Sequence, residues 1–301
     1  MFDNILIIGC GLIGSSILRA VREKDLSTNI SVYDNSKEVL SFLKKENFNV
    51  DIKSDIREAT KEAELIIIAA PLNAYKEIFL AIKNNLKKNV IITDTGSAKK
   101  EINKTIDNLH LENCSWIASH PIAGTEDSGP RSGFAKLFEK RWCIISPSQK
   151  AKKEDIEKVK SFWLKLGSKV KVMSFEEHDH IMSLTSHLPH AIAYSLVRTA
   201  INNDNRFKQE VIQYSAGGLR DFTRIAASDP IMWRDIFIDN SDNILKTLDS
   251  FSNNLNELKK AIKSKNGNEL VKIFSATKDV RKEIIKAGQD TTQPDFGRKK
   301  N

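Results

Sequence analysis

No stretch of this chain approaches the roughly 18 to 20 consecutive apolar residues that a membrane-spanning helix needs, so no membrane span is expected. The N-terminus lacks a basic segment followed by an apolar one. Met1-Phe2-Asp3-Asn4 passes straight into a strand-like run, so a secretory signal is not expected and the cytoplasm is the expected compartment. Cysteine is scarce: Cys10, Cys114 and Cys143 are odd in number, scattered and free of CxxC spacing. They suggest neither a disulfide framework nor a zinc site, and they read as reduced core thiols in a protein without a metal centre. Blocks of five or six like charges are also missing. The net charge of +8, from 47 Lys and Arg against 39 Asp and Glu, is spread as Lys-Lys pairs on helix surfaces. That distribution suits the steering of small anions and not nucleic-acid binding. The densest basic run, Gly297-Arg298-Lys299-Lys300, reads as a solvated chain end.

What is present is a globular composition, 40% apolar and 29% charged, over 301 residues, enough for two domains. Asn4-Ile5-Leu6-Ile7-Ile8 is a buried-strand run, and Gly9-Cys10-Gly11-Leu12-Ile13-Gly14 follows at once, with a helical pattern from Ser15 to about Lys24. A GxGxxG between strand and helix is the context a dinucleotide site requires. Gly9 allows the tight turn, Gly11 the approach of a pyrophosphate, and Gly14 close helix–strand packing, while the amides around Leu12 and Ile13 face the phosphates. The next strand, Asn29 to Asp34, ends in a carboxylate 20 positions beyond Gly14. Asp34 there either binds the adenosine ribose, favouring NAD over NADP, or caps the helix after Asn35-Ser36.

The α/β rhythm continues with strands at 64–70, 89–94, 115–118, 141–146 and 169–173 and helices at 73–84, 98–109 and 153–166. The strand at 89–94 delivers Asp94-Thr95-Gly96-Ser97, putting Ser97 at the ligand-binding edge of the sheet and at the N-cap of the next helix, two roles that can coexist. Ser115 to Ala118 delivers His120 into a loop of Pro, Gly and small polar residues. With an ordinary pKa of about 6.5, a histidine at such a strand end is either a proton-transfer group or a plain hydrogen-bonding residue.

After Met173 no strand pattern remains, so the boundary falls between residues 1–173 and 174–301. From Phe175 to about Asn202 the chain reads as helix, and Asp179, Ser183, Ser186 and His190 share one face. That stripe either lines a cavity or faces solvent, and Pro189 bends the helix within it. Gly217-Gly218-Leu219-Arg220-Asp221-Phe222-Thr223-Arg224 reads as a flexible glycine pair with two arginines fit either for a carboxylate clamp or for surface ion pairs. Asp229-Pro230 starts a capped helix. Amphipathic helices over about 241–264 and 266–287 suit a dimer core, and Gln289 to Asn301 reads as coil.

Together these stretches resemble the prephenate/arogenate (cyclohexadienyl) dehydrogenase family over nearly the whole chain. The likeness rests on GCGLIGSS with Asp34, on Asp94 to Lys99, on His120-Pro121-Ile122-Ala123-Gly124 through Gly129, on His178-Asp179 with Ser186-His187-Leu188-Pro189-His190, and on Asp221 to Ala226 leading to Pro230-Ile231-Met232-Trp233. The resemblance implies an α/β protein, with an N-terminal Rossmann-type dinucleotide-binding domain followed by an all-α dimerisation domain. It implies NAD-dependent oxidative decarboxylation of prephenate or of arogenate in tyrosine biosynthesis. His120 would accept a hydrogen bond from the ring hydroxyl as hydride leaves, with Ser97 orienting histidine and cofactor. Arg224 would bind the ring carboxylate, and His190 and Thr125 would line the pocket. His178, His187 and Trp233 would support it, and Gly217 would reach into the site of the other subunit of a homodimer. Neither a fused mutase nor a regulatory domain is expected, so feedback by tyrosine, if any, would be expected to act at the active site. Other readings are a β-hydroxyacid or imine reductase, which would lack the His120 and Arg224 constellation, and a non-catalytic NAD-binding regulator.

Overall fold

The computed structural model describes residues 2–46, 48–112, 114–125, 127–202 and 208–287. Its frame is an eight-stranded sheet: β1 (Asn4–Ile8), β2 (Asn29–Tyr33), β3 (Asp51–Ile52), β4 (Leu65–Ile68), β5 (Val90–Asp94), β6 (Cys114–Pro121), β7 (Trp142–Pro147) and β8 (Lys169–Val172), in the order β3-β2-β1-β4-β5-β6-β7-β8. The first six strands run parallel in the doubly wound order, whose switch point lies between β1 and β4. β7 runs antiparallel to β6, and β8 parallel to β7.

Alternation along each strand sends side chains to two separate cores. Ile5, Ile7, Leu65 and Ile67 pack on one face with α1 (Leu12–Glu23), α2 (Lys37–Lys45) and α6 (Lys153–Lys165). Leu6, Ile8, Ile66 and Ile68 pack on the other with α3 (Ile56–Thr60), α4 (Tyr75–Ile82) and α5 (Lys100–Asn108). Strands covered on both faces read as continuous apolar runs, and β1, β4 and β5 do.

The second half is helical: α7 (Phe175–Met182), a π turn (Ser183–His187), α8 (Leu188–Asn202), α9 (Lys208–Gln213), α10 (Gly217–Thr223), α11 (Pro230–Asp239), α12 (Ser241–Lys263) and α13 (Gly267–Lys286). Ser174 starts α7 with a capping box to Glu177. Pro189 has no N–H to donate and crowds the carbonyl four residues back, and the wider π turn just ahead of it absorbs both defects. The expected bend is therefore a π turn. Compact packing groups the chain as residues up to Ile244 and residues from Leu245 on. The first unit takes in α7 and α11, because Phe175, Trp233 and Ile236 join the core over α4 and α5. In the second, Leu255, Ile262, Val271, Phe274, Val280 and Ile284 are each more than half exposed. The coil expected for Gln289 to Asn301 lies outside the described residues. Among the described residues, no helix is long and apolar enough to cross a membrane, and no cluster of His, Cys, Asp or Glu could hold a metal ion.

Candidate active site

The glycine loop leaves β1 at the switch point. Gly9 has φ +88°, and a Cβ on it would come within 2.6 Å of the Ala69 carbonyl at the end of β4. A Cβ on Gly14 would strike the Gly9 carbonyl, whereas one on Gly11 would meet nothing within 4 Å. Helix α1 starts at Leu12, three residues earlier than the sequence pattern suggests. Its first turn therefore includes Leu12, Ile13 and Gly14, with no side-chain cap and no acidic residue. That is an open cradle of amides at a helix N-terminus, fit for a pyrophosphate. Asp34 follows β2, and its carboxylate accepts from the Cys10 amide (2.7 Å) and the Ser36 amide (2.8 Å). The helix cap itself is Ser36, which accepts from the Val39 amide. Asp34 thus fastens the glycine loop to the start of α2.

His120 is a strand residue. The sequence pattern ends its strand at Ala118 and puts the imidazole in a loop. The structure continues β6 to Pro121, because β7 pairs antiparallel with its second half, His120 opposite Ile144. Residues 116, 118 and 120 share a face, so the imidazole points to the side where α5 and α7 pack. There Nδ1 of His120 lies 2.8 Å from Nε2 of His178, and Nδ1 of His178 lies 2.7 Å from Oδ1 of Asp179. The Asp179 carboxylate also accepts from the Lys99 and Lys100 amides, both at 2.9 Å.

This chain of bonds sets the tautomers. A carboxylate accepts, so the His178 proton is on Nδ1 and its Nε2 accepts from Nδ1–H of His120. Nε2 of His120 is then an unprotonated acceptor left for a ligand. Electrostatics agree: burial first, then the charges of His178, Lys99 and His187, hold the His120 pKa well below its ordinary value. Burial does the same to His178. The Asp179 carboxyl is pushed up by burial, against which the Lys99 and Lys100 amides and the Lys99 charge act.

A second cluster comes from the helical half. His187 is fully buried and accepts at Nδ1 from the Asn240 side-chain amide (3.1 Å), which also donates to the Asp179 carbonyl (2.8 Å). Its proton is therefore on Nε2, a buried donor that makes no well-formed hydrogen bond among the described residues, with the Ser97 backbone as the polar group acting on the ring. Burial lowers the His187 pKa to about 4, with the Asp179 charge and the Ser97 backbone opposing. His190 donates from Nδ1 to the Ser186 carbonyl (2.9 Å) and stacks on Trp233, with ring centroids 3.5 Å apart. Burial and the nearby Arg224 charge both lower its pKa. The stripe of Asp179, Ser183, Ser186 and His190 faces inward: the first two are buried and the others half-buried. Gly217 and Gly218 open helix α10 instead of forming a flexible loop, and Arg220 is exposed and paired with Asp221.

A family model of the prephenate dehydrogenase nucleotide-binding domain matches residues 17–172, and one of the prephenate dehydrogenase dimerisation domain matches residues 174–276. The chain belongs to the prephenate dehydrogenase family. A cyclohexadienyl dehydrogenase of Zymomonas mobilis is 38% identical over 93% of this chain and 96% of its own length. A prephenate dehydrogenase of Bacillus subtilis is 32% identical over 93% of this chain and 76% of its own. The crystal structure of the A. aeolicus prephenate dehydrogenase in complex with hydroxyphenyl propionate and NAD+ has a TM-score of 0.87 at 34% identity, covering 94% of this chain and 99% of that one.

Of the residues singled out in the sequence, the structure joins His120 directly to His178 and stacks His190 on Trp233; the Ser97 backbone acts on His187 and the Arg224 charge on His190. Thr125 is exposed in the loop after β6, and Gly217 opens α10; no hydrogen bond or ring contact ties either to the cluster among the described residues. Ser97 is not the cap of α5, which begins at Lys100 and takes its cap from Asp179, 79 positions further on. Sequence reading passed over Asn240, and it gave no role to Asp94 or Lys99 and none beyond the stripe to Asp179. The signal available was a carboxylate closing an apolar strand and a lysine five positions on, at the start of the next helix.

Proposed function

We propose that this chain catalyses the NAD-dependent oxidative decarboxylation of prephenate to 4-hydroxyphenylpyruvate. The observation that carries the reading is the Asp179–His178–His120 chain, which aims an unprotonated Nε2 from the carboxyl end of β6 toward the ligand side of the sheet. NAD+ on the glycine loop supplies the hydride acceptor. His120 accepts the hydrogen bond of the ring 4-hydroxyl, so that the oxygen pushes electron density into its bond with carbon 4 as hydride leaves that carbon. The electron pair of the breaking carboxylate bond flows into the ring, carbon dioxide departs, and the proton shared with His120 stays on the phenol oxygen. No net proton is consumed, so a neutral imidazole suits the step better than a protonated one. Ser97, from the neighbouring strand, orients the histidine and the nicotinamide.

Arg224 holds the ring carboxylate and His190 lines the pocket, with His178, His187 and Trp233 supporting it and Thr125 at the mouth. Residues 1–173 serve the cofactor and residues 174–301 the substrate and the dimer. Arg224→Ala is expected to raise the KM for prephenate by roughly 10- to 100-fold, the loss of about 1.5–3 kcal/mol for a hydrogen bond to a charged group. An unchanged KM removes the clamp. Asp34→Ala is expected to weaken NAD+ binding and relax discrimination against NADP+, measured as the ratio of kcat/KM for the two cofactors. A ratio that stays put refutes the ribose contact.

The exposed apolar residues of α12 and α13 support a homodimer in which Gly217 reaches the partner's site. Sedimentation at about micromolar concentration is expected to give a dimer, and a clean monomer contradicts this. Arogenate is a second substrate candidate, favoured by the relative named cyclohexadienyl dehydrogenase. It differs in an amine on the side chain, and NADH formation from each substrate decides between prephenate preference and dual use.

A further inference from the structure

Behind His120, on the sheet side, lies a buried ion pair that the chemistry above leaves unused. Asp94, at the end of β5, is 0% exposed and Lys99 1%. Oδ2 of Asp94 accepts from Lys99 Nζ (2.6 Å), the Gly96 amide (2.9 Å) and the Tyr75 hydroxyl (3.0 Å), and Oδ1 accepts from the Ser119 amide (2.9 Å). Lys99 Nζ also donates to the Ser119 carbonyl (2.6 Å). The peptide units flanking Ser119, immediately before His120, are therefore held by this pair.

Burying two charges costs more than packing apolar side chains of the same volume, so stability alone does not call for such a pair. We propose that Lys99 is a positioning residue for His120: by clamping the Ser119 carbonyl to the Asp94 carboxylate, its ammonium locks the strand carrying the imidazole to the loop carrying Ser97. This rests on the assignment of His120 above.

Burial works against the Lys99 charge and the Asp94 carboxylate sustains it, so the ammonium sets a positive charge beside the imidazole in the buried interior. The groups facing His120 are His178 and Asp179 from α7, His187 from the π turn, Asp94 and Lys99 from the end of β5 and its loop, and Cys143 from β7. Asp179 is bonded to His178 and Asp94 to Lys99, and burial keeps His178 and His187 neutral and the Cys143 thiol protonated. Lys99 is thus the cation that opposes protonation of His120.

The test is Lys99→Met in the full chain with saturating NAD+, read as kcat, KM for prephenate and the pH profile of kcat/KM. The expected result is a kcat lower by at least about tenfold with KM within about threefold. The acid limb should move to higher pH, because an imidazole without the neighbouring cation protonates more readily. Should Lys99→Met fail to fold with Asp94 left unpaired, the double variant Asp94→Asn/Lys99→Met, which buries no lone charge, is read by the split between kcat and KM, because removing both charges leaves the net charge beside His120 unchanged. Wild-type kcat in whichever variant folds, or a lowered kcat with an unmoved acid limb in Lys99→Met, overturns the proposal. If the unmodified protein yields no NADH from prephenate, the functional reading has failed separately. Lys99 is then judged by NMR titration of the His120 imidazole in the NAD+ complex, where an upward shift in the variant supports the clamp and an unshifted titration overturns it.

Discussion

Replacing His120 with Asn lowers kcat for prephenate by roughly 10²- to 10⁴-fold, the range expected for losing a positioned proton acceptor. NAD+ affinity stays within a few-fold. An asparagine carbonyl can accept a hydrogen bond but cannot share a proton strongly, and it severs the link to His178 and Asp179. The cofactor cradle is untouched, because it is built from the β1–α1 loop and Asp34 on other strands. Steady-state kinetics paired with an NAD+ binding titration separate the two effects, and turnover close to the unmodified enzyme removes His120 from the mechanism.

Asp179→Asn should cost nearly as much activity while leaving every ligand-facing side chain in place. The carboxylate accepts three bonds, from His178 and from the Lys99 and Lys100 amides. An amide group keeps one acceptor oxygen and turns an NH2 toward donors. The start of α5 then loses a cap contact and a buried donor is left unsatisfied, worth about 1–3 kcal/mol. More consequential is the tautomer. The Lys100 amide donates to Oδ2, and both His178 and the Lys99 amide meet Oδ1. An asparagine that turns its oxygen to Lys100 sets its NH2 against Nδ1 of His178. The proton then moves to Nε2, His120 must accept at Nδ1, and its own Nε2 becomes a donor, the wrong polarity for the substrate hydroxyl. An asparagine that keeps its oxygen toward His178 gives up the charge that holds the Nδ1 proton there. A fall in kcat of about 10²-fold or more is expected, by the same logic that makes a buried acid essential to a catalytic triad histidine. Thermal denaturation would show a moderately lowered midpoint, and lowered stability with unchanged kcat would leave Asp179 a capping residue only.

These two residues also mark what a sequence can disclose. The strands β1, β4 and β5 and the glycine loop are legible because their signals are local: an apolar run closed by Gly or Pro, and a helix start. Where the deciding partner is distant, local signals mislead. His120 looks like a loop residue because Pro121 and Gly124 follow it, yet β7 returns more than 20 positions later and draws it into the sheet. Ser97 looks like a helix cap because serine favours that position, but Asp179 takes the role from another helix. β3, two residues long, carries no periodicity to read. The Asp94–Lys99 pair has the composition of a surface turn and the burial of a core. The cluster of His178, His187, His190, Trp233 and Arg224 was found through family motifs, and its geometry depends on a π turn and on Asn240, neither of which a local pattern announces.

The most direct measurement is the product balance of the purified chain given prephenate and NAD+. Equal amounts of NADH, carbon dioxide and 4-hydroxyphenylpyruvate are expected, with no reaction when either reactant is left out. NADH without carbon dioxide, or no NADH from prephenate at all, would contradict an oxidative decarboxylation at His120.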